Sequence, residues 1–167
     1  MSNLASHLQI GLLLASVAII LAAALHDVAA RTVPNWMAAA LAVLGLMVQA
    51  IGGHLVAGMV AGLIVFIVAV FCWRRGWMGG GDVKLLGAVA ILVPAGHVAQ
   101  FIVAVTLTGT VLAIAYLIAR RIVPAPGARR PTRLIARAVR AECWRISRGG
   151  PLPYALAIAT GFLIVTL

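Results

Sequence analysis

The chain has 167 residues, 64% of them hydrophobic and 10% charged, with a net charge of +10 and a mean hydropathy of +1.14. A soluble domain of this length cannot hide that much apolar surface, so composition excludes one and points to a polytopic membrane protein. At about 20 apolar residues per span, the length holds roughly six or seven spans and no separate soluble domain. Residues 1–167 are therefore expected to form one membrane domain. On a soluble protein the basic excess would suggest nucleic acid. In a membrane it marks cytoplasmic loops instead, and no nucleic-acid partner is expected.

Met1 to His7 contain no Lys or Arg, so this start does not read as a cleavable signal peptide. Six apolar segments follow. They run from about Leu8 to Leu25, Trp36 to Ile51, His54 to Trp73, Val83 to Val93, Val98 to Ala119, and from Pro151 and Pro153 to Leu167. The fourth is too short to span alone. It is either extended by the Gly-rich stretch before it or embedded within the bundle. Gly45, Gly58, Gly62 and Gly109 favour close helix packing. Pro124 to Gly127 reads as a turn. From Thr132 to Ser147 the pattern is helical, with Ile135, Val139, Cys143 and Ile146 on one face and Arg133, Arg137, Arg140 and Arg148 largely opposite. A basic amphipathic helix on anionic lipid of the cytoplasmic leaflet accounts for this. Within it Glu142 can pair with Arg145 at i+3, a structural role only.

The basic residues set the topology. Arg31 follows the first segment; Arg74, Arg75 and Lys84 surround the junction of the third and fourth; nine arginines from Arg120 to Arg148 separate the fifth and sixth. The alternate connections and both termini carry none. All 13 Lys and Arg thus fall on one face of a six-span bundle. That face is cytoplasmic and both termini are outside. The expected fold is all-α.

Only two aspartates occur, Asp27 and Asp82, and this topology puts both at the cytoplasmic edge. A carboxylate at a membrane boundary is costly and suggests a functional site. Two carboxylates sharing one water can deprotonate it and protonate a leaving amine, because like charges so close cannot both ionise. Such a pair titrates as a unit, so neither aspartate takes a fixed role. Gly79, Gly80 and Gly81 allow close substrate approach and irregular backbone at membrane depth. Pro34, before Asn35, suits the start of the second helix. Bland alternatives stand beside these. Gly79 to Gly81 could be a hinge with Asp82 as N-cap, and Asp27 could simply pair with Arg31 at i+4.

Asp27-Val28-Ala29-Ala30-Arg31-Thr32-Val33-Pro34-Asn35 resembles the Asp-x(5)-Ile/Val-Pro-Asn signature of type IV prepilin peptidases, and Gly79-Gly80-Gly81-Asp82-Val83-Lys84 resembles their GxGDxK motif. The tail from Pro151 to Ala157 is similar to the stretch that opens the family's last span. The resemblance implies an intramembrane aspartyl peptidase of the bacterial inner membrane, using no metal or cofactor. Its substrate would be a prepilin with a basic leader and an apolar helix, cut at the cytoplasmic border after a glycine. It implies Asp27 and Asp82 as the catalytic pair. Gly79, Gly80, Gly81, Lys84, Pro34 and Asn35 are then expected to meet substrate. Lys84 could equally neutralise charge near the pair or anchor to lipid phosphate. The sequence holds no CxxC zinc-ligand region of the long, methylating members, so it resembles the short form of Flp-type pilus systems.

The remaining residues have plainer readings. His26 could tune Asp27; His54 and His97 belong to the opposite face. Trp36, Trp73, Trp77 and Trp144 suit an interfacial belt. Cys72 and Cys143 form no CxxC and read as free thiols. Two other functions compete. A small transporter or proton-coupled channel would place acids near the midplane of symmetric halves, and neither feature is visible. A non-catalytic scaffold would have no use for both aspartate motifs.

Overall fold

The computed structural model describes residues 2–123, 134–150 and 152–166, and among these no strand occurs. Seven α-helices follow in order: α1 (Ser2–Ala30), α2 (Asn35–Ile51), α3 (Leu55–Arg74), α4 (Gly80–Leu92), α5 (Val98–Ile122), α6 (Leu134–Arg148) and α7 (Tyr154–Thr166). A 3₁₀ turn at Ala95–His97 precedes α5. Each of the six apolar segments and the basic amphipathic segment forms a helix over most of its described residues; Pro124 to Arg133, Pro151 and Leu167 lie outside the described residues. Among the described residues three helices are long and apolar enough to cross a membrane, over Asn3–Ala30, Leu55–Arg74 and Ala95–Ile122, and α2 and α7 are shorter apolar helices.

The short fourth helix settles one expectation. α4 is embedded, with Val83, Leu85 to Ala90 and Leu92 all buried. It packs chiefly between α2 and α3 and also touches α7, while α5 pairs with α7 and α1 with α2 and α7. The helix begins three residues before the expected Val83, so Gly80, Gly81 and Asp82 form its first turn. Gly79 is the N-cap, which corrects the reading of Asp82 as the cap.

A helix end leaves carbonyls without partners, and an apolar interior supplies no water to replace them. Gln49 of α2, only 5% exposed, meets this need. Its Nε2 donates to Ile91 O at 2.8 Å and to Val93 O at 3.2 Å. The two α3 glycines at i, i+4 spacing make room for this arrangement. A Cβ on Gly58 would sit 2.7 Å from Gln49 Cγ, and one on Gly62 would overlap Ile91 Cγ1.

Replacing Gln49 with Leu strips the Ile91 and Val93 carbonyls of their donor. A loss of about 2 kcal/mol is expected for orphaning a buried acceptor, read as a lower unfolding midpoint of the purified protein in detergent.

Candidate active site

Asp27 stands in the last turn of α1 and is 5% exposed. The chain then turns sharply. Arg31 takes a left-handed φ of 56°, its N–H bonds Asp27 O at 2.7 Å, and Pro34 at φ −58°, ψ 136° becomes the N-cap of α2. His26 Nδ1 lies 2.7 Å from Thr32 O, so this histidine braces the turn rather than Asp27.

The turn meets the start of α4. A Cβ on Gly81 would lie 3.4 Å from Val33 Cβ, and one on Gly80 would lie 3.4 Å from Trp73 Nε1. Without side chains at 80 and 81, α4 seats its first turn directly against the α1–α2 connection. Asp27 and Asp82 consequently line one cavity of about 880 Å³, together with Arg31, Asn35, Gly79 to Gly81 and Lys84. Pro34 acts from behind it, through the start of α2.

Each carboxylate also sits at the N-terminus of a helix. Asp27 Oδ2 accepts the Ala155 N–H at 3.2 Å, in the first turn of α7. Asp82, in the first turn of α4, turns back onto Gly79, where a Cβ would stand 2.9 Å from Asp82 Oδ2. Free N–H groups and the positive end of the helix dipole both favour anionic oxygen there. Two carboxyl groups are thus accommodated in a largely apolar bundle with no cation bonded to either among the described residues.

Lys84 Nζ donates to Asn35 Oδ1 at 2.9 Å, tying α4 to α2 at the edge of the cavity. Those two residues also begin an apolar groove of about 710 Å³ between α2 and α3, floored by Gly87, Ala88 and Ile91 of α4. The cavity with the acids and the groove without them share one boundary. His54 and His97 lie at the other ends of their helices, at the starts of α3 and α5.

One sequence expectation needs correcting, and another is extended. Arg31 does not pair with Asp27; it is bonded to Glu142 of α6 and to Tyr116 Oη of α5, the latter at 3.2 Å. Glu142 pairs with Arg145 at 3.2 Å as expected, but it also accepts from Tyr116 and Arg31. Arg145 in turn donates to Val28 O at 2.9 Å and Ala29 O at 3.0 Å, the C-terminal carbonyls of α1. A cue for this cluster was present: Glu142 is the only glutamate of the chain, and scarcity had already singled out the aspartates. The Ala155 N–H left no cue, because a backbone donor has no residue signature.

A model of the type IV leader peptidase family matches residues 13–114, a span that contains both aspartates. No curated protein and no solved structure matches the chain.

The Val33–Gly81 contact is directly testable. In a background of Cys72→Ser and Cys143→Ser, the pair Val33→Cys and Gly81→Cys is expected to form a disulfide under mild oxidation, since Cβ atoms about 3.8 Å apart suit one. Non-reducing electrophoresis after cleavage of a protease site introduced between the two positions reads the crosslink.

Proposed function

The chain belongs to the type IV leader peptidase family, and from that premise we propose that it is an aspartic endopeptidase in which Asp27 and Asp82 are the reacting pair. The observation that carries the reading is that two carboxylates, from helices 55 positions apart in the chain, line one cavity. Two such acids that share one proton supply both the base and the acid that amide hydrolysis needs.

In the proposed reaction the ionised carboxylate removes a proton from a water held between the acids. The oxygen of that water attacks the carbonyl carbon, and the protonated carboxyl donates to the carbonyl oxygen. Collapse of the tetrahedral intermediate returns a hydroxyl proton to the carboxylate that had donated it, re-forms the C=O bond and breaks the C–N bond. The amine nitrogen leaves with the proton first taken from water. The pair ends with one proton between them, as it began. Neither aspartate is assigned the base, since the pair titrates together.

Gly79, Gly80 and Gly81 leave the substrate backbone free to approach Asp82. Asn35 and Lys84, held by Pro34 and by each other, border the path onward. The apolar segment adjoining the cut bond lies along the groove between α2 and α3, whose floor of small residues suits a closely packed helix. The substrate is a prepilin, of Flp type on the short-form resemblance, and its basic leader stays at the cytoplasmic edge. The proposed setting is six spans in the bacterial inner membrane, with both termini outside. The basic face of α6 rests on anionic lipid. The family match is to peptidases and lends no support to the transporter alternative.

Co-expression with a prepilin tests the reading. Asp27→Asn and Asp82→Asn are each expected to slow leader removal by about 100-fold or more while the protein still accumulates in the membrane. Normal cleavage by either variant would refute the pair. Gly79→Ala is expected to displace the Asp82 carboxyl. Cleavage should then fall about tenfold with little change in the unfolding midpoint.

A further inference from the structure

The cavity contains a guanidinium that hydrolysis by two carboxylates does not require. Arg31 follows Asp27 by four positions, the spacing at which side chains on one helix face meet. Continued by one more helical residue, α1 would set Arg31 over Asp27. The left-handed φ of 56° at Arg31 prevents this, although such a conformation is unfavourable for a residue with a Cβ. The side chain leads instead toward α5 and α6, where Tyr116 and Glu142 bind it. It is nine-tenths buried there, and its Nε and Nη1 have no hydrogen-bond partner among the described residues. A guanidinium so placed leaves two of its three nitrogens unbonded among the described residues, so its position is set by Glu142 and Tyr116 rather than by its own bonding needs.

We infer that Glu142 is a positioning residue for the reaction: it holds Arg31 away from Asp27, so that the two aspartates remain free to share a proton. A guanidinium bonded to one member of an acid pair favours the ionised form, and the shared proton is then lost to the pair. With Glu142 neutralised, the only acids left in the chain are Asp27 and Asp82. Arg31 lines the same cavity as both. Arg145 supports the arrangement by fastening α6 to the Val28 and Ala29 carbonyls, which fixes Glu142 relative to the end of α1. This inference rests on the reading of Asp27 and Asp82 as the reacting pair.

The test measures kcat and KM for prepilin cleavage in membranes containing the full chain. Glu142→Gln is expected to lower kcat by about tenfold or more with KM little changed. Adding Arg31→Met to Glu142→Gln is expected to recover about fivefold or more of that loss, because the guanidinium that lines the cavity is then gone and Arg145 stays tied to the Val28 and Ala29 carbonyls. A merely structural tie predicts the opposite, a double variant no faster than Glu142→Gln. That result would overturn the inference, as would a Glu142→Gln enzyme within about twofold of the unmodified one. Tyr116→Phe keeps both charges and serves if Glu142→Gln fails to accumulate. It should cause a smaller loss that Arg31→Met relieves, and a loss that Arg31→Met deepens would count against the role. Undiminished cleavage by Asp27→Asn or Asp82→Asn would remove the underlying pair. Inactive aspartate variants beside a normal Glu142→Gln enzyme would remove only the role of Glu142.

Discussion

A helix buried in an apolar bundle has to satisfy both of its ends from within the protein, and α4 is the helix on which this constraint falls hardest. Eight of its thirteen residues are buried, and it packs against α2, α3 and α7. At its C-terminus Gln49 supplies the missing donor to two carbonyls. At its N-terminus the unpaired N–H groups and the dipole meet Asp82. The same end presses Gly81 on Val33, and that contact joins the Asp82 turn to the Asp27 turn. The position of one short helix therefore fixes where both acids stand.

Asp27 is treated in the same way by a different helix. It lies almost wholly buried at the end of α1, and its oxygen accepts the Ala155 N–H at the start of α7. Helix N-termini are effective partners for carboxylates that must stay reactive. They favour negative charge without the tight two-point bond that a guanidinium makes. The nearby Arg31 is occupied by Glu142 and Tyr116. In this account the cavity keeps its two acids available by solvating them with backbone and sequestering the adjacent cation.

Much of the helical plan was legible because it rests on local properties. The second segment, expected from Trp36 to Ile51, is α2 from Asn35 to Ile51, and the fifth begins at Val98 as expected. α1 runs well beyond the expected limits, from Ser2 to Ala30, because a helix tolerates polar residues at its ends once nucleated. Gly80 and Gly81 were open to reading as a hinge or as an extension of the fourth segment, and they are helical, since packing against Trp73 and Val33 outweighs their weak propensity. The aspartates and the residues around them stood out through charge scarcity and motif spacing. What stayed hidden depends on contacts between distant segments: the Gln49 cap on α4, the Ala155 N–H on Asp27, and Glu142 on Arg31 across 111 positions. A helical wheel gave Glu142 a partner at i+3, and that partner is real. It could not disclose the second.

The central claim is that Asp27 and Asp82 are close enough to act on one water. The most direct measurement replaces both with cysteine, in a chain whose Cys72 and Cys143 are serine, and titrates it with cadmium. A soft ion bridged by two thiolates gives a strong ultraviolet charge-transfer band and needs both sulfurs at bonding distance. One tightly bound cadmium per chain is expected in the double-cysteine protein, with the band lost in either single-cysteine protein. Binding no stronger in the double than in the singles would place the two positions apart and contradict it.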